Sequence, residues 1–184
     1  MAALVLGAIC QAGDKTPWLA AILADRFRAP GMVIAATAVA LAGNYALGAI
    51  GGRLIAPLVT PEARQLLFAL ALLLAGLGTT FRGRSPDRLE GWKLGAFGTS
   101  ALGLAIMIVG DRMQFIVVGI AAGSDLPWLA GVGATIGALA VAAPAAIIGE
   151  TQWLALPQRA IRAGTAALLI LLGVIVALMA LGLI

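Results

Sequence analysis

Six runs of mostly apolar residues follow one another through the chain, at roughly 1–24, 31–52, 63–81, 93–122, 126–149 and 160–184. Each is about as long as, or longer than, the ~20 residues that an α-helix needs to cross the hydrocarbon of a bilayer. Inside lipid a backbone amide finds no water, so such a run must satisfy its own hydrogen bonds, and an α-helix does this within one segment. Short connections separate the runs: "DRFRAPG", "RLIAPLVTPEAR", "FRGRSPDRLEGWK", "SDLP" and "ETQWLALPQR". They carry the Pro, Gly and charges that end helices. The chain is 62% hydrophobic and 11% charged, with a mean hydropathy of +1.07, whereas soluble domains hold about 25% charged residues. The pattern predicts an all-α polytopic membrane protein, a single membrane domain over 1–184 with six transmembrane helices and the lipid bilayer as its main partner. The opening "MAALVLGAIC" lacks the basic stretch of a secretory signal and reads as the start of the first helix.

The bases are unevenly placed. Connections one, three and five hold Arg26, Arg28, Arg82, Arg84, Arg88, Lys93, Arg159 and Arg162, and connections two and four hold Arg53 and Arg64. An excess of Lys and Arg marks the cytoplasmic side, so eight against two predicts that both termini face outward. A bacterial plasma membrane is the expected location for so compact a chain. The net charge of +4 is thus topological and does not point to nucleic acid. The sequence has no His, and its one cysteine, Cys10, permits neither an intramolecular disulfide nor a thiolate cluster. Nothing in it resembles a hydrolase triad, a phosphate-binding loop or a haem site, so it reads as a transporter rather than an enzyme.

Two of the runs are interrupted by charge. "QAGDKTP" at 11–17 has an echo in "IVGDRMQ" at 108–114. Asp14 and Asp111 are 97 positions apart, and Lys15 with Arg112, Pro30 with Pro127, and Gly52 with Gly149 keep that offset. The chain therefore reads as two copies of a three-helix unit: repeat one about 1–81, a cytoplasmic loop about 82–92, and repeat two about 93–184. Three crossings are odd, so the second copy must run through the membrane in the opposite sense. Such inverted repeats are common among secondary transporters.

A charge at the bilayer centre costs on the order of 2.5–3.5 kcal/mol on insertion scales, and such residues usually face the bundle interior and pair. Gly13 and Gly110 precede the two acids, and Pro17 follows Asp14. Glycine weakens a helix and proline removes an amide donor. The first helix is therefore expected to break at its acid; the fourth has no matching Pro. Adjacent residues do not face each other on a helix. Across the halves, Asp14 is then free to meet Arg112 while Asp111 meets Lys15. Two such ion pairs could simply fix how the halves dock, or they could belong to an ion site.

The paired Gly-Asp-base triplets resemble the calcium/proton antiporter-two family, which holds Gdt-one-like Golgi manganese/calcium–proton exchangers and bacterial manganese exporters. The family signature is Glu, an apolar residue, Gly, Asp, Lys or Arg, then Ser or Thr, once per repeat. The first copy matches at Ala12, Gly13, Asp14, Lys15 and Thr16, with Gln11 in place of Glu. The second matches at Val109, Gly110, Asp111 and Arg112, with Ile108 for Glu and Met113 for the hydroxyl residue. The resemblance implies exchange of Mn²⁺ or Ca²⁺ for protons, without ATP or an organic cofactor. It implies Asp14 and Asp111 as the principal metal ligands, assisted by Gln11 and Thr16, with Lys15 and Arg112 as their electrostatic partners. Four acids and two bases would give a formal charge of −2; the two acids and two bases here give zero. Two unit charges 4 Å apart interact by about 4 kcal/mol at an effective dielectric of 20, so the difference is large for a divalent ion.

Three functions stay open at this point: metal efflux against protons; a non-transporting or half-competent partner of a relative with intact glutamates; and export of a small organic cation or amino acid. The sequence does not decide between a monomer and a homo- or hetero-oligomer. Among the other polar residues, Asn44, Thr37 and Thr135 are candidate neutral oxygen ligands, and Asn44 equally suits an interhelical hydrogen bond. Glu150 reads as a solvated helix end, and Trp92, Trp128 and Trp153 as interfacial anchors.

Overall fold

The computed structural model describes residues 1–81 and 85–184. Arg82 and Arg84, counted above among the cytoplasmic bases, lie outside the described residues. The described residues form eight α-helices and no strand: α1 Ala2–Gln11, α2 Lys15–Phe27, α3 Pro30–Ile55, α4 Pro61–Thr80, α5 Gly95–Ile108, α6 Arg112–Ala122, α7 Pro127–Ala155 and α8 Gln158–Ala180. A 3₁₀ turn, Ala56–Leu58, extends α3. The first and fourth apolar runs are thus each split in two. Four stretches are long and apolar enough to cross a membrane unbroken: Pro30–Leu58, Pro61–Thr80, Pro127–Ala155 and Gln158–Ala180. α5 and α6 together make a fifth, bent by 70°. α1 is apolar but only ten residues long.

Helix starts follow local chemistry. Pro30, Pro61 and Pro127 each occupy the first helical turn, where the missing amide proton costs nothing. Thr60 caps α4 by accepting the Ala63 amide at 3.3 Å. The 97-residue offset recurs in the elements: α2 starts at Lys15 and α6 at Arg112, α3 at Pro30 and α7 at Pro127, α4 at Pro61 and α8 at Gln158.

The packing crosses between the halves. α1 and α2 lie against α7, whereas α5 and α6 lie against α3, and α4 pairs with α8. Small residues let the backbones approach. A Cβ added to Gly137 of α7 would collide with the Leu4 carbonyl oxygen of α1, and one on Gly7 would meet the Ala134 carbonyl oxygen at 2.6 Å. On the other side, Gly52 of α3 faces the Val118 carbonyl oxygen of α6 at 2.5 Å from the same hypothetical atom. The core between them includes Leu23, Leu41, Tyr45, Leu104, Met113 and Ile116. Large apolar side chains also cover the outside, among them Leu47, Ile50 and Leu54 on α3 and Leu171 on α8. An apolar exterior around an apolar core is what lipid as solvent allows, and the chain is an integral membrane protein.

Two expectations are corrected by the packing. Trp153 is no interfacial anchor: it is 7% exposed and packs with Ala21 and Ala145. Glu150 is no free helix end: it pairs with Arg88 at 2.9 Å and accepts the Trp18 indole N–H at 3.3 Å. The cause of the second is a break in α7 at Gly149 (φ 81°, ψ 172°), which leaves the Glu150 amide free to donate to Asp25 Oδ2 at 2.8 Å. Arg26 orders the connection after residue 85 by donating to the carbonyls of Arg88, Leu89, Glu90 and Trp92.

Gly137→Val should lower the stability of the detergent-purified protein by on the order of 1–3 kcal/mol, because the new side chain must push α1 off α7. Gly43→Ala, whose Cβ meets nothing within 4 Å, should leave it unchanged. Thermal unfolding followed by circular dichroism compares the two.

A candidate cation site at two helix breaks

Both interrupted helices break in the same way. At the end of α1, Ala12 leaves the helical region (ψ 113°), Gly13 takes φ 80°, and Asp14 is extended (φ −84°, ψ 169°). After α5, Val109 (ψ 124°), Gly110 (φ 75°) and Asp111 (ψ 149°) repeat the sequence of conformations. A left-handed φ is cheap only for glycine, which explains the Gly before each acid. Pro17 sits in the first turn of α2, where its ring obstructs nothing. The second break forms without any proline, so glycine and the acid suffice.

Each break exposes carbonyls at one helix end and amides at the next. Asp14 caps α2: its Oδ2 accepts the Thr16 hydroxyl at 3.0 Å and the Thr16 amide at 3.4 Å. Asp111 stands at the matching position of α6 but makes no side-chain cap. There the Gly110 amide donates instead to Gln114 Oε1 at 2.8 Å. The amino ends of α2 and α6 both favour a negative charge beside them.

The halves meet through Arg112. Its guanidinium donates to Asp14 Oδ1 at 2.5 Å, to Thr79 Oγ1 at 2.6 Å and to the Cys10 carbonyl at 3.4 Å. Of the two cross-half ion pairs that the sequence allows, this one forms. Lys15 and Asp111 take part in no ion pair among the described residues. Lys15 is exposed and lines a cavity of about 510 Å³ that also reaches Asp14, Trp18, Thr79, Arg112 and Arg162. Asp111 is partly exposed.

Carboxamides complete the surroundings. Gln11, fully buried, donates to the Tyr45 hydroxyl at 3.1 Å and leaves its Oε1 without a partner. Asn44 donates to the Ile108 carbonyl at 3.0 Å, tying α3 to the broken end of α5, and its Oδ1 is also buried and unpartnered. Gln114 Nε2 reaches the Asn44 carbonyl at 3.4 Å. Thr16 is 1% exposed and serves Asp14 alone. Thr37 and Thr135 instead donate to Val33 and Gly131, one turn back in their own helices. Ile108 and Met113, at the positions of the missing acid and hydroxyl, are buried apolar residues.

Tyr45, Thr79 and Gln114 are further neighbours of the site. Gln114 stands four residues after Gly110 within the echo itself, and Tyr45 is the only tyrosine. Both were visible as polar residues inside apolar runs. Thr79 carried no such signal.

Carboxylate, carboxamide, hydroxyl and helix-end carbonyl oxygens are all hard ligands, suited to Ca²⁺ or Mn²⁺ rather than to soft, thiolate-seeking metals. The described residues hold no group of three or more acidic, His or Cys side chains poised for a metal. Any cation here must rely on few charges and several neutral oxygens.

A family profile described as "Divalent cation/proton antiporter GDT1" matches the chain in two blocks, residues 1–87 and 96–182. A Vibrio cholerae serotype O1 protein named "Putative manganese exporter" is 31% identical over 172 residues, covering 90% of this chain and 83% of that protein. No solved structure matches the chain. Two Gly-Asp-base breaks in the expected positions, and a family match over nearly the whole length, have one meaning: the chain belongs to the GDT1 family of divalent cation/proton antiporters.

Proposed function

We propose that the protein carries a divalent cation, Mn²⁺ first and Ca²⁺ second, out of the cell in exchange for protons. The observation that carries this is the convergence of two broken helices on the Asp14–Arg112 pair, with Asp111 next to Arg112 in the second break. Asp14 and Asp111 act as the charged ligands, and Gln11 and Thr16 assist. Arg112 balances Asp14 while no metal is bound, whereas Lys15, exposed and in no ion pair among the described residues, is not paired with either acid. A carboxylate that gives up the metal takes a proton in its place, which couples the two flows. The name of the Vibrio relative favours manganese.

In this reading each broken segment is one crossing, so the chain crosses six times as two inverted three-helix repeats. The recurrence of helix starts at one offset and the two matched blocks support it. The surplus of Arg and Lys puts connections one, three and five in the cytoplasm and both termini outside. A bacterial plasma membrane suits the bacterial relative.

One observation favours a half-partner reading. Ile108 puts a buried alkyl group where the family has its second Glu, so a relative with intact motifs could supply the missing acid by association.

In proteoliposomes loaded with a pH-sensitive dye, an imposed Mn²⁺ gradient should drive proton movement. Asp14→Asn or Asp111→Asn should each reduce it to the level of empty vesicles. A wild-type protein that moves no protons with Mn²⁺ or Ca²⁺ alone, but does so beside a full-motif relative, would favour the half-partner reading instead.

Gln11→Glu restores the family acid at a buried position that already faces the Tyr45 hydroxyl. The hydroxyl then donates to the carboxylate. Mn²⁺ should bind this variant about tenfold more tightly or better, by the added charge. Titration calorimetry on the purified protein measures it.

A further inference from the structure

Arg112 occupies an unusual seat. Its three acceptors are a carboxylate oxygen of Asp14, the Thr79 hydroxyl and the carbonyl of Cys10 in the last turn of α1. A structural ion pair needs only the first. A charged oxygen, a neutral hydroxyl and a helix-end carbonyl brought to one point are the kind of ligands a hard divalent ion takes. The Cys10 carbonyl is available only because the helix stops at Gln11: the Asp14 amide, which would take it in a continued helix, donates instead to the Gln11 carbonyl at 3.1 Å.

The fit of the guanidinium is incomplete. Its Nε is buried and donates to nothing, and an unmade bond at a buried charged group is costly. The side chain also has somewhere to go. Arg112 is 17% exposed and lines the 510 Å³ cavity, which continues toward Trp18, Phe81 and Gln158. Arg112 is the first residue of α6, so its long side chain can leave the seat without moving the helix.

We infer that the Arg112 guanidinium is a tethered stand-in for the transported cation, seated on Asp14, Thr79 and the Cys10 carbonyl until a metal displaces it into the cavity. Thr79 and the Cys10 carbonyl thereby become ligands of the metal. The inference rests on the cation reading above. It also gives the neutral site a use. With the guanidinium seated, Asp14 is never left as an unpaired charge when the site holds no metal, and the metal binds only by competing with an internal cation. Lys15, exposed and without an ion partner among the described residues, has no such seat.

The sign of one substitution tests this. Removing a competitor tightens metal binding; removing a support weakens it. Mn²⁺ binding to the purified full-length chain is measured by titration calorimetry for wild type, Arg112→Gln, Arg112→Lys and Lys15→Gln. Arg112→Gln should bind Mn²⁺ about tenfold more tightly or better than wild type. Lys15→Gln, which removes the same charge from the cavity but no competitor, should change binding by much less. Arg112→Lys keeps the charge but not the planar fork that holds several acceptors at once, so it should lie between wild type and Gln. It carries the same sign test if Arg112→Gln does not fold. Weaker or unchanged binding in the Arg112 variants, with a wild type that binds, overturns the inference and leaves the cation reading standing. An equal gain from Lys15→Gln also overturns it, since net charge alone would then explain the effect. Absence of Mn²⁺ and Ca²⁺ binding in the wild type and every variant overturns the cation reading itself.

Discussion

Breaking a helix inside an apolar bundle exposes backbone groups that lipid cannot solvate, and the rest of this structure follows from where those groups find partners. Asp14 and Thr16 close the start of α2, Gln114 takes the Gly110 amide, Asn44 takes the Ile108 carbonyl, and Arg112 takes the Cys10 carbonyl. Asn44 and Arg112 come from the opposite half to the carbonyls they take, whereas Asp14, Thr16 and Gln114 stand beside their own breaks. The breaks are therefore stable only in the assembled bundle. Close packing of α1 on α7 and of α6 on α3, through Gly7, Gly137, Gly48 and Gly52, is what brings those partners within reach.

The two halves share a backbone plan but not a chemistry. Where the first break has Gln11 and Thr16, the second has Ile108 and Met113. α3 carries Asn44 and Tyr45; at the same offset α7 carries Val141 and Ala142. Most acceptors around the ion pair thus come from the first half, and the guanidinium they surround comes from the second. An arrangement of this kind is asymmetric in charge as well as in ligands, although the helix ends that frame it are nearly superimposable in their dihedral angles.

A second set of charges lies beyond the breaks. Asp25 caps the turn that follows Gly149, and Arg88 and Trp18 hold Glu150. Trp18 also lines the cavity that reaches Asp14, so the connection between the halves and the ion pair share one wall. The same side chain is positioned by a carboxylate on one edge and by the broken helix on the other. Arg26 and its four carbonyl acceptors hold the connection against the end of α2.

The sequence by itself determined the class of fold and the position of the first break, and it marked the second with the same Gly-Asp pair but without a Pro. Long apolar runs dictate helices because lipid offers backbone groups no alternative, and a Gly before an ionised residue in mid-run is a local signal that needs no tertiary knowledge. It also pointed to Asp14, Asp111 and Arg112, since charges are rare in such runs and each is conspicuous. What only the tertiary structure decided is who meets whom. Lys15 and Arg112 are equivalent in sequence, yet Arg112 turns inward to Asp14 and Lys15 faces the cavity. Trp153 and Glu150 stand at a helix end in either view, but the break at Gly149 folds both into contacts that the linear pattern does not contain. Thr79, an ordinary residue near the end of an apolar run, becomes a neighbour of the ion pair because α4 passes beside α6. Periodicity and composition act along the chain, whereas such pairings depend on distances across it, set by how closely glycine lets the helices approach.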